Sequence, residues 1–485
     1  MKHSIIKNNI QKSLFNKLKK INGIISVTLV GSFVNKNDLS GISDIDTVVI
    51  CKSLNYKKFL QCQESVKEID LEKCGLPDHR LKINNTFGPL KFDEKKIVVI
   101  HLMIYDIVRH YDHVTFSPFT CFDWERSKTK MGLSLKKIYP VGTLQFRDFI
   151  EVRRGINNYI KDLEKKVISY REYTFNSGKI KQRKKFKSLD NRHVGEFCYH
   201  IFRNLTSNYL KLINRNNLYY KDEDITKEIK RLFHRDTSYV ENFKTICSIK
   251  SDRSDHFPKG TLSIAKRFVA DFEGKIFSEW NKTVPVHFYR HFKTKLNDGT
   301  FLGQKRNPEV ILSKQQSIEN YSIERIYSSP MRRCLETSKI IWGDLVPIID
   351  ERLLEINYGD AEGLTYKQLV ELYPEMISMW DKGLDPSFPN GENTKDVDVR
   401  LESFLNHLKV DISNKNRTSI GVVTHNGILR CLIGKSFSLN QKEWFKLKIP
   451  HNTALEFLYF KNHFYPNIHR NLISKIFSNI GWFKI

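Results

Sequence analysis

Hydrophobic periodicity changes character twice along the 485 residues, and those two changes constrain the architecture more than any other feature. From about Ile24 to Tyr105, short β-branched runs (IISVTLV, IDTVVI, KIVVIHLMIY) sit between polar turns, the pattern of an α/β domain. From about Phe149 the period becomes helical. Phe149, Val152, Ile156, Tyr159, Leu163 and Val167 recur every three or four positions, as do Val194, Phe197, Ile201, Leu205, Tyr209 and Leu212. From Val284 strand-like runs return (VPVHFY, IERIYSS, SIGVVTH), each followed by a helix-like stretch, which predicts a sheet with parallel strands and helices on both faces. The expected fold is multidomain α/β: an α/β domain over 1–125, a helical domain over 126–280 and a C-terminal three-layer α/β/α domain over 281–485. The length is also too great for one compact core.

Composition narrows the class. With 40% hydrophobic and 28% charged residues the chain reads as globular rather than disordered. The longest apolar run, Ile97 to Tyr105, is half of what a bilayer span needs, and the first residues hold no apolar stretch of signal length. A cytoplasmic location without a transmembrane segment is therefore expected. Eight cysteines stand singly with no C-x-x-C pair, which argues against a zinc ribbon or a disulfide framework. The net charge of +26 suits nucleotides, phosphorylated metabolites or nucleic acid, and nucleic acid ranks behind the small molecules as a partner. The basic run KIKQRKKFKS, Lys179 to Ser188, is expected to be a solvated loop, with an RNA or phosphate contact as the lesser reading. The tail NLISKIFSNIGWFKI has helical spacing and is expected to pack on its own domain.

The last 200 or so residues place Arg290, His291, Ser328, Ser329 and His425 where strands end, the place at which functional groups collect in such sheets. Arginines offer forked donors to phosphate, and a histidine unprotonated at one nitrogen can attack phosphorus. A carboxylic acid would protonate the leaving alkoxide and afterwards activate water. Four blocks then carry a family resemblance: RHFKTKLN, SSPMRRCLETS, LLEINYGDAEG and VVTHNGILR, in register across about 135 residues. Together they resemble the histidine phosphatase (phosphoglycerate-mutase-like) superfamily. The resemblance implies His291 as nucleophile, Arg290, Arg333 and His425 as phosphate clamp, Asn297 and Thr294 as substrate-binding residues, Glu355 as acid and base, and no cofactor. Phe292 stands where the family usually has glycine and is expected to narrow the pocket or tune its substrate. Phosphatase is preferred to mutase, which needs extra lid contacts.

Near the N-terminus, Asp44 and Asp46 open a strand, and alternation projects both carboxylates from one face. Such a pair suits Mg2+, which takes hard oxygen ligands shared with nucleotide phosphates. Gly31-Ser32, after the run VTLV, offers backbone N–H groups and a hydroxyl to a triphosphate. Eleven residues separate Ser32 from Asp44. G-S followed by D-x-D at this spacing resembles the nucleotidyltransferase fold of the DNA polymerase beta superfamily. That implies Gly31 and Ser32 as nucleotide-binding residues, Asp44 and Asp46 as Mg2+ ligands, and transfer of a nucleoside monophosphate from an NTP to an acceptor. The family's third carboxylate has no clean counterpart. His101, in the middle of KIVVIHLMIYD, reads as a core histidine or a base, and Asp106 ends that strand.

The whole-chain expectation is a bifunctional enzyme: nucleotidyl transfer to a small phosphorylated or polyol acceptor, and phosphomonoester hydrolysis through a phosphohistidine. Two alternatives are a nucleotidyltransferase acting on tRNA or protein with a regulatory phosphatase domain, and a phosphatase with an inactive nucleotide-binding domain.

Overall fold

A computed structural model describes residues 2–480 apart from 37–38, 40–41, 43, 91, 93, 177–178, 253–256, 312–320 and 414–418. The described residues of 1–144 and 148–277 form one compact unit, and those of 145–147 and 278–484 form another.

The first unit holds a five-stranded sheet of β1 (Ile24–Val30), β2 (Ile45–Cys51), β3 (Arg80–Asn84), β4 (Ile97–Asp106) and β5 (Lys130–Gly132), in the order β3-β4-β2-β1-β5. β2 and β4 run parallel with Asp46 level with His101, while β1 runs antiparallel to β2 with Val30 opposite Asp46. The helix Lys2–Leu18 sets Ile6, Ile10, Leu14 and Leu18 at four-residue spacing, one apolar stripe, and buries them with Val27, Leu29, Val49, Ile100 and Leu102 of the sheet. The helical period of the middle region appears as helices Phe146–Glu151, Arg153–Glu164 and Asn191–Ile213. Val167, the last residue of the expected helical stripe, instead opens β6 (Val167–Asn176), which pairs antiparallel with β7 (Lys179–Ser188). The basic run expected to be a loop is thus a strand. Pairing satisfies its backbone, and alternation sends Ile180 onto the core under β1–β4 while its charged side chains face water.

The second unit is built on a six-stranded sheet in the order β10-β9-β11-β8-β12-β13: β8 (Val284–Arg290), β9 (Arg325–Ser328), β10 (Ile348–Ile349), β11 (Ile420–Thr424), β12 (Ala454–Phe460) and β13 (His463–Pro466). β8, β9, β10 and β11 are parallel, and β12 and β13 are antiparallel additions at one edge. One face carries Tyr289, Ile326 and Val423 against the helix Arg332–Trp342, where Cys334, Ile341 and Trp342 meet them. The other carries Phe288, Val422 and Tyr327, with Tyr327 against Phe404 of the helix Thr394–Ser413. Helix, sheet and helix make the expected three layers. The tail packs as read: Ile473, Ile476, Phe477 and Ile480 are buried, and residues 481–485 lie outside the described residues.

Phe404→Ala should destabilise the second unit by about 3–5 kcal/mol, because it opens a cavity in a fully enclosed layer. Val410→Ala, exposed on the same helix, should change stability by less than about 0.5 kcal/mol. Guanidinium unfolding of the two variants checks both.

Candidate functional site

In the second unit, strand register does the positioning. β8 and β11 are parallel neighbours with Arg290 level with Thr424, so His291 and His425 leave the sheet together. The His291 N–H donates to the Thr424 carbonyl at 3.0 Å, and the two rings lie 5.2 Å apart. Both are buried. His291 Nδ1 lies 2.7 Å from the Phe292 carbonyl, which can only accept, so Nδ1 carries the proton and Nε2 keeps its lone pair. Burial, then the charge of Arg333, hold the His291 pKa well below the ordinary histidine value. His425 receives Arg333 Nε at Nδ1 over 3.2 Å and donates from Nε2 to Ser329 Oγ over 2.8 Å. Burial and Arg333 keep it neutral as well.

Arg333 is fully buried, and its other donors go to the Gly303 and Arg306 carbonyls at 2.8 and 3.2 Å. Burial lowers its pKa, as it does for Arg290, which falls to about 10. Arg290 reaches the Ile449 carbonyl through Nη1 and leaves Nε buried without a partner. Two desolvated guanidinium groups that hydrogen-bond to carbonyls and a neutral ring rather than to a carboxylate favour an anion. Glu355 is also buried: its Oε1 accepts from the N–H groups of Ile356 and Gly427, each at 2.9 Å. Gly427 is the second residue of the helix Asn426–Ser436, and a Cβ there would stand 2.3 Å from Glu355 Oε1. Only glycine lets the acid approach so closely.

Thr294 and Asn297 bind each other. Asn297 Oδ1 accepts from the Thr294 N–H at 2.8 Å and its hydroxyl at 3.1 Å, so the pair shapes the loop after His291. Phe292 does not narrow the pocket. It is buried among Tyr289, Ile326, Cys334 and Val423 on the core face, with its N–H held by Thr337 Oγ1 at 2.9 Å. Sequence reading missed His451, whose Nδ1 donates to the His291 carbonyl at 3.0 Å and whose ring lies 5.3 Å from that of His291. A histidine in a loop 160 residues away carries no local signal.

In the first unit, Asp44, Asp46 and His101 each present a ligand atom within 4.8 Å of the others. Gly31 has φ +73°, and a Cβ there would meet Asp46 Oδ2 at 2.3 Å, so the Gly31-Ser32 turn lies directly against Asp46. Ser32 starts the short helix Ser32–Asn35. His101 is not merely a core residue: Nδ1 lies 2.9 Å from Asp46 Oδ1 and Nε2 lies 2.8 Å from the Thr86 carbonyl. Burial opposes charge on this ring, but the hydrogen bond to Asp46 and the field of Asp44 win and raise its pKa. Asp106 stands apart, level with Cys51 at the far end of β4, where it caps the helix Ile107–Phe116 through the Arg109 N–H at 2.9 Å and ion-pairs with Arg109. The two carboxylates fit Mg2+, whereas both nitrogens of His101 are already engaged by oxygens.

Family comparison agrees with both readings in part of the chain each. Residues 12–131 match the nucleotidyltransferase domain, and residues 313–469 match the histidine phosphatase superfamily (branch 1). The second match starts beyond Arg290 and His291, which the β8–β11 register brings to His425. The chain is 26% identical over 180 residues to 6-phosphofructo-2-kinase/fructose-2,6-bisphosphatase of Gallus gallus, covering 35% of this chain and 36% of that protein. The chain thus spans about a third of the length of that relative. Among solved structures, the alpha-ribazole phosphatase from Shigella flexneri (20% identity, TM-score 0.33) covers 38% of this chain and 95% of its own. The phosphoserine phosphatase from Entamoeba histolytica has the same identity, TM-score and coverages.

His287, buried, and His451, half-buried, have pKa values lowered to about 4, chiefly by desolvation. The unfolded chain binds protons at these sites below about pH 6.5 while the folded chain does not, so stability falls as pH drops from there toward 4. Each ring contributes on the order of 3 kcal/mol. Denaturant unfolding of wild type and His287→Phe between pH 7 and 4 should show a shallower loss in the variant. The chain carries a nucleotidyltransferase domain in its first part and a histidine phosphatase superfamily domain in its last.

Proposed function

We propose that the chain is a bifunctional enzyme that hydrolyses a phosphomonoester in its C-terminal domain and transfers a nucleoside monophosphate in its N-terminal domain. The observation that carries the first half is the free Nε2 of buried, neutral His291 beside Arg290 and Arg333. The phosphate sits among Arg290, Arg333 and His425, and His291 Nε2 attacks phosphorus as the ester oxygen departs. Glu355 gives that oxygen its proton and then takes one from the water that breaks the phosphohistidine. His425, neutral and donating to Ser329, adds no charge that would compete with the arginines. Thr294 and Asn297 act through the loop they tie. The similarity to phosphatases supports this reading, and the substrate is a small phosphorylated metabolite.

In the N-terminal domain, Asp44 and Asp46 would hold Mg2+, which supplies charge neutralisation of the NTP phosphates when bound. Gly31 and Ser32 offer their N–H groups and hydroxyl to those phosphates. The acceptor in this reading is a small phosphorylated or polyol compound. A second reading, in which the domain binds a nucleotide without transferring it, draws on His101. The β4 position level with Asp46 holds an ion-paired histidine where a third carboxylate is expected.

Brief incubation with a 32P-labelled phosphomonoester should leave an acid-labile, base-stable label on the protein. His291→Ala should abolish the label and lower kcat/KM at least about 10^3-fold. Retention of both by that variant would remove the assignment. EDTA should stop Asp46-dependent release of pyrophosphate from an NTP and leave phosphomonoester hydrolysis unchanged. Pyrophosphate release equal in wild type and Asp46→Asn would favour the second reading.

A further inference from the structure

The β6–β7 ribbon has two faces of opposite character. Cross-strand register places Phe175 with Ile180 and Tyr173 with Gln182 on one face, and Tyr173, Phe175 and Ile180 pack on the core beneath β1–β4. On the other face, every second residue of β7 is a cation: Lys179, Lys181, Arg183, Lys185 and Lys187. These five follow one another at about 7 Å, two residues of strand rise. The partners opposite them on β6 are Asn176, Thr174, Glu172, Tyr170 and Ile168. Glu172 is the one carboxylate of that face, and it pairs with Lys185 at 2.6 Å. An aromatic ring, Tyr170, stands among the cations. On the opposite face, near the end of β7, Phe186 is 57% exposed and Lys184 lies over its ring.

The ribbon is fastened beside the carboxylate pair. Arg171 of β6 exchanges both backbone hydrogen bonds with Phe87, each at 2.8 Å, and the residue before Phe87, Thr86, supplies the carbonyl that holds His101. A row of evenly spaced cations on a paired strand is a rigid track, unlike a loop, and its periodic charge matches a polymer of regularly spaced anions better than a single metabolite. Tyr170, half-buried on that face, offers a ring among those cations to unpaired bases, which stack on aromatic side chains.

We propose that the outward face of this ribbon binds single-stranded nucleic acid through its phosphate backbone, next to Asp44 and Asp46. This partner is additional to the small acceptor, and its binding requires neither NTP nor Mg2+, so the inference stands apart from the transferase reading.

Fluorescence anisotropy with labelled U20 RNA and the matching deoxy-oligonucleotide, in EDTA without NTP, tests it from 50 to 200 mM KCl. Five phosphate contacts predict a slope of log K against log salt of about −3.5, hence about a 100-fold loss of affinity across that range. Lys179→Gln/Lys181→Gln/Arg183→Gln should shallow the slope by about 2. Lys179→Arg/Lys181→Arg/Arg183→Lys should restore binding, which separates lost charge from lost folding. Lys136→Gln/Lys137→Gln, a charge loss elsewhere on the same unit, should bind as wild type. Equal weakening by the two neutralised variants, an unchanged slope in the ribbon variant, or binding to phosphatidylserine vesicles in preference to both oligonucleotides would overturn the proposal. Preference for RNA over DNA, or none, is compatible with backbone recognition, and duplex binding tighter than single-strand binding would refute it.

Discussion

A guanidinium buried without a carboxylate partner is an unstable arrangement unless something else brings negative charge, and Arg333 is in that position. It is fully enclosed, yet its donors end on two carbonyls and on the ring of His425. Burial, and then the same positive field that invites an anion, keep His291 and His425 neutral. Arg333 and the two neutral rings are therefore linked: a charge stands beside them where the sheet excludes water. The Nδ1–H bond of His291 to the Phe292 carbonyl adds direction by leaving only Nε2 for chemistry.

Strand register carries this arrangement across long stretches of sequence. His291 and His425 are separated by more than a hundred residues, and parallel pairing of β8 with β11 sets them level. Motif reading finds both, because each follows an apolar run and stands in a distinctive block. His451 escapes it, since nothing in IPHNTALEF signals that the loop returns to His291. Phe292 shows the converse. Its neighbour in sequence is His291, but alternation at the strand end turns it to the opposite side, into the core. Adjacency in sequence misleads wherever the period is two.

The N-terminal site has a similar history. Asp44, Asp46 and the Gly31-Ser32 turn are legible because a glycine, a serine and two aspartates are local in sequence. The meaning of His101 depends on the pairing of β2 with β4, which brings it level with Asp46. A buried histidine and a functional one look alike until that register is known. Likewise, a run of lysines and arginines reads as solvated chain, and only its pairing with Ile168 to Asn176 shows that five of its six charges alternate onto one side. Periods and turn residues made the sheets legible. The cross-strand neighbours were not, because they depend on long-range pairing.

The helix Asn426–Ser436 has a mechanical consequence. His425 is the residue that caps its start, and the N–H of its second residue holds Glu355. His425 and Glu355 are thus tied to one rigid rod. A small slide of that rod would carry both groups together and leave the distance between them unchanged, so the alignment that must survive thermal motion is the one between the rod and β8, where His291 stands. The His291 N–H bond to Thr424, one residue before the rod, spans that joint.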